Sequence, residues 1–271
     1  MIALIFILLT SLNVLAKPFI LDVHTGENHS EGVAFFTGVD GVACTSYHTV
    51  EGASSIAARI DNQEYSVAII GFDEVLDVAV LKVKGFNTKQ FYTIGSDNIN
   101  IGDIVTLNGY KNTFDGNVTN QSSHDFMIDI DISQGFSGSP IVKNGIVQGI
   151  VTSFRKDNRH ALAVKSSKVS THYTNMLNGK KFFKKDLDIH MMNVTKNTTL
   201  MIKMDTTHKR RGVLITRSEN KKLQVWDIIT HINSRPINNI DALQTILSHT
   251  YSDEILTIDF IRKNEKHTVE I

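Results

Sequence analysis

The chain has 271 residues, with 28 Lys and Arg set against 28 Asp and Glu. That length has room for more than one hydrophobic core. Balanced charge with no long basic run excludes the electrostatic footprint of a nucleic-acid binder.

Residues 1–16 are an apolar run too short for a membrane span, ending in Val14-Leu15-Ala16, the kind of residues a signal peptidase reads. Export with cleavage after Ala16 is expected. The run has no leading Lys or Arg, so an uncleaved membrane anchor is the alternative. Cys44 is the only cysteine, which excludes an internal disulfide, and its place in the apolar stretch Val42-Ala43-Cys44-Thr45 reads as a buried thiol.

From Glu31 onward the apolar segments are short, alternate with polar residues and are separated by Gly, Asp and Asn turns, the pattern of antiparallel β-structure. Strands are predicted over 32–36, 41–47, 56–60, 65–70 and 78–83, and again over 104–110, 126–132, 140–142, 146–154 and 161–164. The stretch from Lys111 to Asp125 is polar and brief. A short helix is predicted over Ser167–Leu177, stopped by Asn178-Gly179. The charged hexamer Lys180–Lys185 reads as a linker, with a solvated strand or a membrane-surface contact as alternatives. Beyond it come a strand over 211–216, an Asp227-Ile228-Ile229 strand, an Asn233-Ser234-Arg235-Pro236 turn, a helix from Asp241, its expected N-cap, to about His249, and a closing strand over 254–263.

Three motifs carry chemistry. In Gly135-Phe136-Ser137-Gly138-Ser139-Pro140 a serine sits between glycines on a tight turn, where the N–H groups of Gly135 and Ser137 can point at one oxyanion. Serine needs a base and an orienter, and upstream lie His48, in Thr45–Ala53, and Asp77, in Asp77-Val78-Ala79-Val80-Leu81-Lys82. The order is His, Asp, Ser.

These motifs resemble those of the HtrA/DegP-type serine proteases, the chymotrypsin-fold branch with a C-terminal PDZ domain. That family's Thr-Asn-Asn-His-Val-Val-x-Gly-Ala is similar to residues 45–53, its Asp-Leu-Ala-Val-Leu-Lys to residues 77–82, and its Gly-Asn-Ser-Gly-Gly-Pro-Leu to residues 135–141. The resemblance implies a mainly β fold: a chymotrypsin-like double β-barrel over 17–180, with the active site between the barrels, then a small α+β PDZ-like domain over 187–271. It implies a serine endopeptidase for unfolded or misfolded exported proteins, periplasmic or secreted, with His48, Asp77 and Ser137 as triad and no metal or cofactor. His124 and His160 show no ligand spacing. A homotrimer built through N-terminal aromatics is also implied, for which residues 17–30 offer only Phe19.

The chain departs from the family in several places. Phe136 stands where the family has a polar residue, a position that tolerates change if its side chain faces solvent. Ser139 replaces the second glycine and would be strained if the backbone there needs positive φ. The resemblance puts the substrate pocket at Ile128-Asp129-Ile130-Asp131-Ile132, with Asp131 and Ile132 as candidate pocket residues. Alternation allows either the isoleucines or the aspartates to line it, favouring aliphatic or basic P1 side chains respectively. Leu187-Asp188-Ile189 is the candidate carboxylate loop, where Asp188 would repel a terminal carboxylate. Trp226 replaces a glycine, reading as cover for one edge of the domain or as a ligand contact. The brief 111–125 stretch makes regulation by loop rearrangement doubtful. A non-catalytic peptide-binding or chaperone-like scaffold is the second functional reading, favoured if Ser139 distorts the oxyanion turn.

Overall fold

The structure, a computed structural model, describes residues 16–95, 98–131, 135–155, 159–195 and 211–271. The expected signal segment up to residue 15 and the candidate pocket residue Ile132 lie outside them. The chain divides into two compact units, residues 1–181 and 182–271.

The first unit is two six-strand β-barrels with few helices. Strands β1 (Phe19–Thr25), β2 (Asn28–Phe36), β3 (Val42–Ser46), β4 (Ser55–Ile60), β5 (Gln63–Asp73) and β6 (Val78–Val83) run in the order β5-β4-β1-β2-β3-β6, closed by β6 pairing back to β5. Closure removes the open edges that make isolated sheets adhesive. The one-turn helix α1 (Tyr47–Val50) follows β3. The second barrel comprises β8 (Ile104–Asn108), β9 (Thr113–Gln121), β10 (Asp125–Asp129), β11 (Pro140–Lys143), β12 (Ile146–Arg155) and β13 (His160–Lys165), in the order β11-β8-β9-β10-β13-β12 and closed by β11 on β12. A two-residue strand, β7 (Thr93–Ile94), adds to β12 in parallel.

Two barrel strands escaped the sequence reading. In β1 the alternate residues Phe19, Leu21 and Val23 are buried in the first-barrel core, and Phe19 packs on Phe36 with ring centroids 4.6 Å apart. Phe19 is 2% exposed, so the one aromatic of residues 17–30 fills a core. In β9 the sequence is polar, yet Gly116 and Val118 point inward while their neighbours face solvent, and the strand is held by pairing on both sides, to β8 and to β10. The 111–125 stretch is therefore a barrel strand and its turns.

Helix α2 (Ser166–Leu177) closes the first unit and starts one residue earlier than predicted. It packs on β5, where a Cβ at Gly71 would stand 2.4 Å from the Met176 carbonyl oxygen, so only glycine admits the helix so closely. Gly179, at φ +87°, ends it.

A two-residue strand, β14 (Lys181–Phe182), lies at the boundary of the units. The second unit is a sheet of β15 (Ile189–Asn193), β16 (Val213–Ser218), β17 (Ile228–Ile232), β19 (Thr257–Arg262) and β20 (Glu265–Glu270) in that order, with β18 (Arg235–Pro236) paired to β17. Helix α3 (Ile240–Leu247) covers a core that includes Leu187, Ile229, Leu243 and Phe260. Its N-cap is Asn239 and not Asp241: the Asn239 side-chain oxygen accepts from the Ala242 N–H at 2.9 Å, leaving Asp241 in the first turn. Asn233 and Ser234 turn the β17–β18 hairpin with φ of 47° and 64°, the doubly positive geometry that matches strand twist. Buried Asp227 accepts from Arg262 Nε and Nη2, both at 2.7 Å, which ties the start of β17 to β19. Trp226 is held at φ +75° and is 55% exposed, so it gives little cover to the domain.

Candidate active site

The site grows from two chain reversals in the first barrel and one turn in the second. Strand β3 runs out of the core into α1, which presents His48. Between β5 and β6 the chain turns through residues 74–77. Asp73, fully buried at the end of β5, accepts from the N–H groups of Val75 and Leu76 at 2.9 Å each with one carboxylate oxygen. Its other oxygen accepts from His172 Nδ1 of α2 at 2.6 Å. The turn so held ends at Asp77 in a left-handed conformation, φ +55°, one that a non-glycine residue keeps only when its surroundings impose it.

Those surroundings are also what Asp77 does for His48. Its Oδ1 accepts from the His48 backbone N–H at 2.8 Å, its Oδ2 from His48 Nδ1 at 2.7 Å, and its carbonyl oxygen from the Tyr47 N–H at 3.0 Å. Tyr47 in turn stacks on Phe72 with centroids 4.2 Å apart. The imidazole is fixed in position and tautomer, with its proton on Nδ1 and its Nε2 free to accept. The hydrogen bond that His48 donates to Asp77 raises the His48 pKa above its ordinary value; burial opposes this, and the nearby charges of Asp77 and Glu51 add to the rise.

Ser137 Oγ stands 3.0 Å from His48 Nε2, so its hydroxyl donates to the base. The nucleophile turn is tied to both barrels: Ser137 O accepts from the Val33 N–H of β2 at 2.9 Å, and Gly138 N–H donates to Val151 O of β12 at 2.8 Å. The N–H groups of Gly135 and Ser137 have no partner among the described residues. They are available to a developing oxyanion.

Gly138 is the position where the turn demands glycine. Its φ is +85°, and a Cβ there would stand 2.1 Å from Val33 O and 2.3 Å from Thr45 Oγ1. Ser139 does not have positive φ, so the strain feared for it does not arise. Its cost is of another kind: Ser139 Oγ is buried with no hydrogen-bond partner among the described residues. Phe136 does not meet the condition for its tolerance: its ring is half-buried and packs on the second-barrel core, edge-on to Phe114.

Residues 32–150 match the trypsin-like peptidase domain family. His48, Asp77 and Ser137 all fall within that stretch. Over nearly its whole length the chain is similar to proteins described as probable periplasmic serine endoprotease DegP-like: that of Chlamydia trachomatis is 24% identical over 267 residues, 89% of this chain and 52% of the relative. That of a Marinomonas species is 25% identical over 271 residues, 91% of this chain and 57% of the relative. The chain thus spans about half the length of the curated relatives it matches. Among solved structures, the serine endoprotease from Yersinia pestis superposes with a TM-score of 0.60 at 17% identity, covering 94% of this chain and 92% of the other. The HtrA-type protease AlgW with a decapeptide superposes with a TM-score of 0.60 at 18% identity, over 94% and 93%. At such identities the likeness is one of fold.

The candidate pocket segment divides as alternation requires. Ile128 and Ile130 are 0% and 4% exposed within the second-barrel core. Asp129 accepts from the Asn117 N–H, and Asp131 is solvated, its side chain 73% exposed and 3.7 Å from Arg159 Nε. Among the described residues no group of three His, Cys, Asp or Glu converges on a metal position. Asp73 and His172 went unnoticed in the sequence. An Asp two and three residues ahead of turn N–H groups is a readable signal, but a histidine 99 positions away is not.

Proposed function

We propose that the chain is a serine endopeptidase working by acyl transfer on exported polypeptides. The observation that carries this reading is the unbroken relay from Asp77 Oδ2 through His48 to Ser137 Oγ, with spacings of 2.7 and 3.0 Å, beside two N–H groups that have no partner among the described residues. Ser137 Oγ attacks a peptide carbonyl carbon as His48 Nε2 takes its proton. The carbonyl oxygen, now negative, accepts from the N–H groups of Gly135 and Ser137, each worth roughly 3–4 kcal/mol to the transition state. His48 then hands the proton to the departing amine, and Asp77 balances the imidazolium throughout. Water repeats the sequence on the acyl-enzyme. The scaffold reading depended on a distorted Ser139, and the ordinary φ there removes its motive. Labelling with a fluorophosphonate tests the proposal: the native chain is expected to react, Ser137→Ala not at all, and equal labelling of the two would overturn it.

The likeness to proteins named as periplasmic endoproteases supports export. For the P1 side chain the reading is small and aliphatic, because solvated Asp131 already faces Arg159. Matched peptides with P1 Val and P1 Arg test this. A strong preference for Arg that disappears in Asp131→Ala would reverse it.

The second unit is PDZ-like in this reading, with a peptide adding as a strand to the sheet edge at β15, beside α3. Asn193 at the end of β15 accepts from the Ile240 N–H that opens the helix, at 2.7 Å, which brings the edge and the helix together. Asp186 and Asp188 precede this strand, with Asp188 N–H donating to Asp186 Oδ1 at 3.0 Å. Two carboxylates there oppose a third, so free-acid and C-terminally amidated forms of one apolar peptide should bind within about threefold of each other by calorimetry. Clear preference for the free acid would show that the carboxylate loop lies elsewhere.

A further inference from the structure

The residue immediately before the nucleophile has a side chain that the acyl-transfer chemistry leaves unused. Phe136 turns its ring into the second barrel, where it meets Phe114 of β9 edge-to-face, centroids 5.5 Å apart and planes at 81°. It also lies against the backbone of Gly109, at the turn between β8 and β9. A Cβ at Gly109 would come within 2.6 Å of Phe136 Cε1 and 3.0 Å of Cδ1. That turn is itself closed, Gly109 N–H donating to Asn112 O at 2.9 Å, so the ring rests on a fixed surface. The backbone of the same residue closes the nucleophile turn, because Phe136 O accepts from the Ser139 N–H at 3.0 Å.

From this geometry we infer that Phe136 is a positioning residue, an aromatic anchor seated on Gly109 and Phe114 that holds Ser137 and its two N–H donors in place before substrate arrives. The inference rests on the endopeptidase reading for its catalytic consequence. The physical case is one of constraint. On its far side the turn is held by the hydrogen bonds that Ser137 O accepts from Val33 and Gly138 N–H donates to Val151. Those bonds hold the turn at and after Ser137; just before Ser137, the Phe136 ring packs the turn on the second-barrel core. Removing it takes away a restraint next to Gly135, which has φ +99° and where a Cβ would meet nothing within 4 Å among the described residues. Oxyanion donors act through preorganisation, and a displacement of about 1 Å is worth about 100-fold in rate. The φ of Gly109 is not positive, and a Cβ there would meet the Phe136 ring at 2.6 Å and, less closely, Asn112 O at 3.0 Å, so its missing side chain makes the seat for the ring.

Two measurements test this in the full chain. In the first, fluorophosphonate inactivation is resolved into its maximal rate and its half-saturating concentration for four proteins: native, Phe136→Ala, Gly109→Ala and the double variant. Phe136→Ala should lower the maximal rate by about 30- to 100-fold while half-saturation moves less than about threefold. Gly109→Ala, which pushes the ring off its seat, should lower the rate as well, but should cost little further once the ring is gone, since the contact that remains for its Cβ, Asn112 O at 3.0 Å, is the milder one. Phe136→Leu, which keeps an apolar plug and guards against misfolding of the alanine variant, should retain most of the rate. Independent, additive effects of the two alanine substitutions, or a Phe136→Ala rate within about threefold of native, would overturn the inference. The second measurement is amide hydrogen exchange at residues 137–139 in a Ser137→Ala background, which reads the turn without any chemistry. Adding Phe136→Ala should speed exchange at the Ser139 amide by at least about tenfold, and unchanged exchange would refute the anchor. Absent labelling of the native chain would instead refute the endopeptidase reading, leaving the exchange result to decide whether Phe136 holds the turn.

Discussion

Replacing Asp77 by asparagine exchanges one carboxylate oxygen for an NH2 group and should nearly abolish turnover. The amide would keep a carbonyl oxygen at the position that accepts from the His48 N–H, 2.8 Å away, so the loop has reason to stay put. At the second position its NH2 would face His48 Nδ1 across the 2.7 Å now spanned by a hydrogen bond. Two donors cannot share that line, so the imidazole proton must move to Nε2, where it points at Ser137 Oγ from 3.0 Å and can no longer accept. By the chymotrypsin-type precedent the loss is about 10⁴ in kcat, or about 5 kcal/mol of transition-state stabilisation. The pH profile carries a second, independent signature. A protonated His48 cannot act as base, so activity rises with pH through its pKa, which the Asp77 hydrogen bond holds above the ordinary value. Asparagine removes the largest cause of that rise. The acid limb of the residual activity should therefore move to lower pH. Initial rates on a fluorogenic peptide between about pH 5 and pH 9 measure both quantities. Residual activity within about tenfold of native, or an acid limb that stays or moves upward, would refute the assignment of Asp77 as orienter.

Gly138→Ala should destabilise the first unit by about 2–5 kcal/mol, combining the left-handed backbone penalty with overpacking against Val33 O and Thr45 Oγ1; a melting temperature unchanged within about 2 °C would contradict this. Ser139→Ala removes a buried hydroxyl that has no partner among the described residues, and should stabilise by about 1–2 kcal/mol in denaturant titrations while leaving kcat near native. Cys44 is fully buried, and burial pushes its thiol up to about 12, so a disulfide-exchange reagent at about pH 8 should not modify it until the protein unfolds.

The sequence by itself carried the reactive groups and the class of fold. Glycines flanking Ser137, a histidine at the end of an apolar strand and an aspartate opening the next one are local features. The backbone freedom of glycine and the alternation of strands act within a few residues, so they can be read along the chain. Alternation likewise put Ile128 and Ile130 on one face and Asp129 on the other, and the barrel buried the isoleucines. What the chain could not disclose depends on partners distant in sequence. Strand β9 is polar and is a strand because β8 and β10 satisfy its backbone on both sides. Asp241 was the expected cap, and the hydrogen bond that the Asn239 side chain accepts from the Ala242 N–H gives the role to Asn239. Of the two residues after the nucleophile, it is Gly138 that has the positive φ, and Val33 O and Thr45 Oγ1 from the other barrel also leave no room for a Cβ there. Whether Phe136 faces solvent is open in the sequence; the absent side chain of Gly109, far back along the same barrel, leaves the space its ring takes. Local backbone chemistry is written in adjacent residues; the direction a side chain takes is settled by whatever the rest of the fold leaves empty.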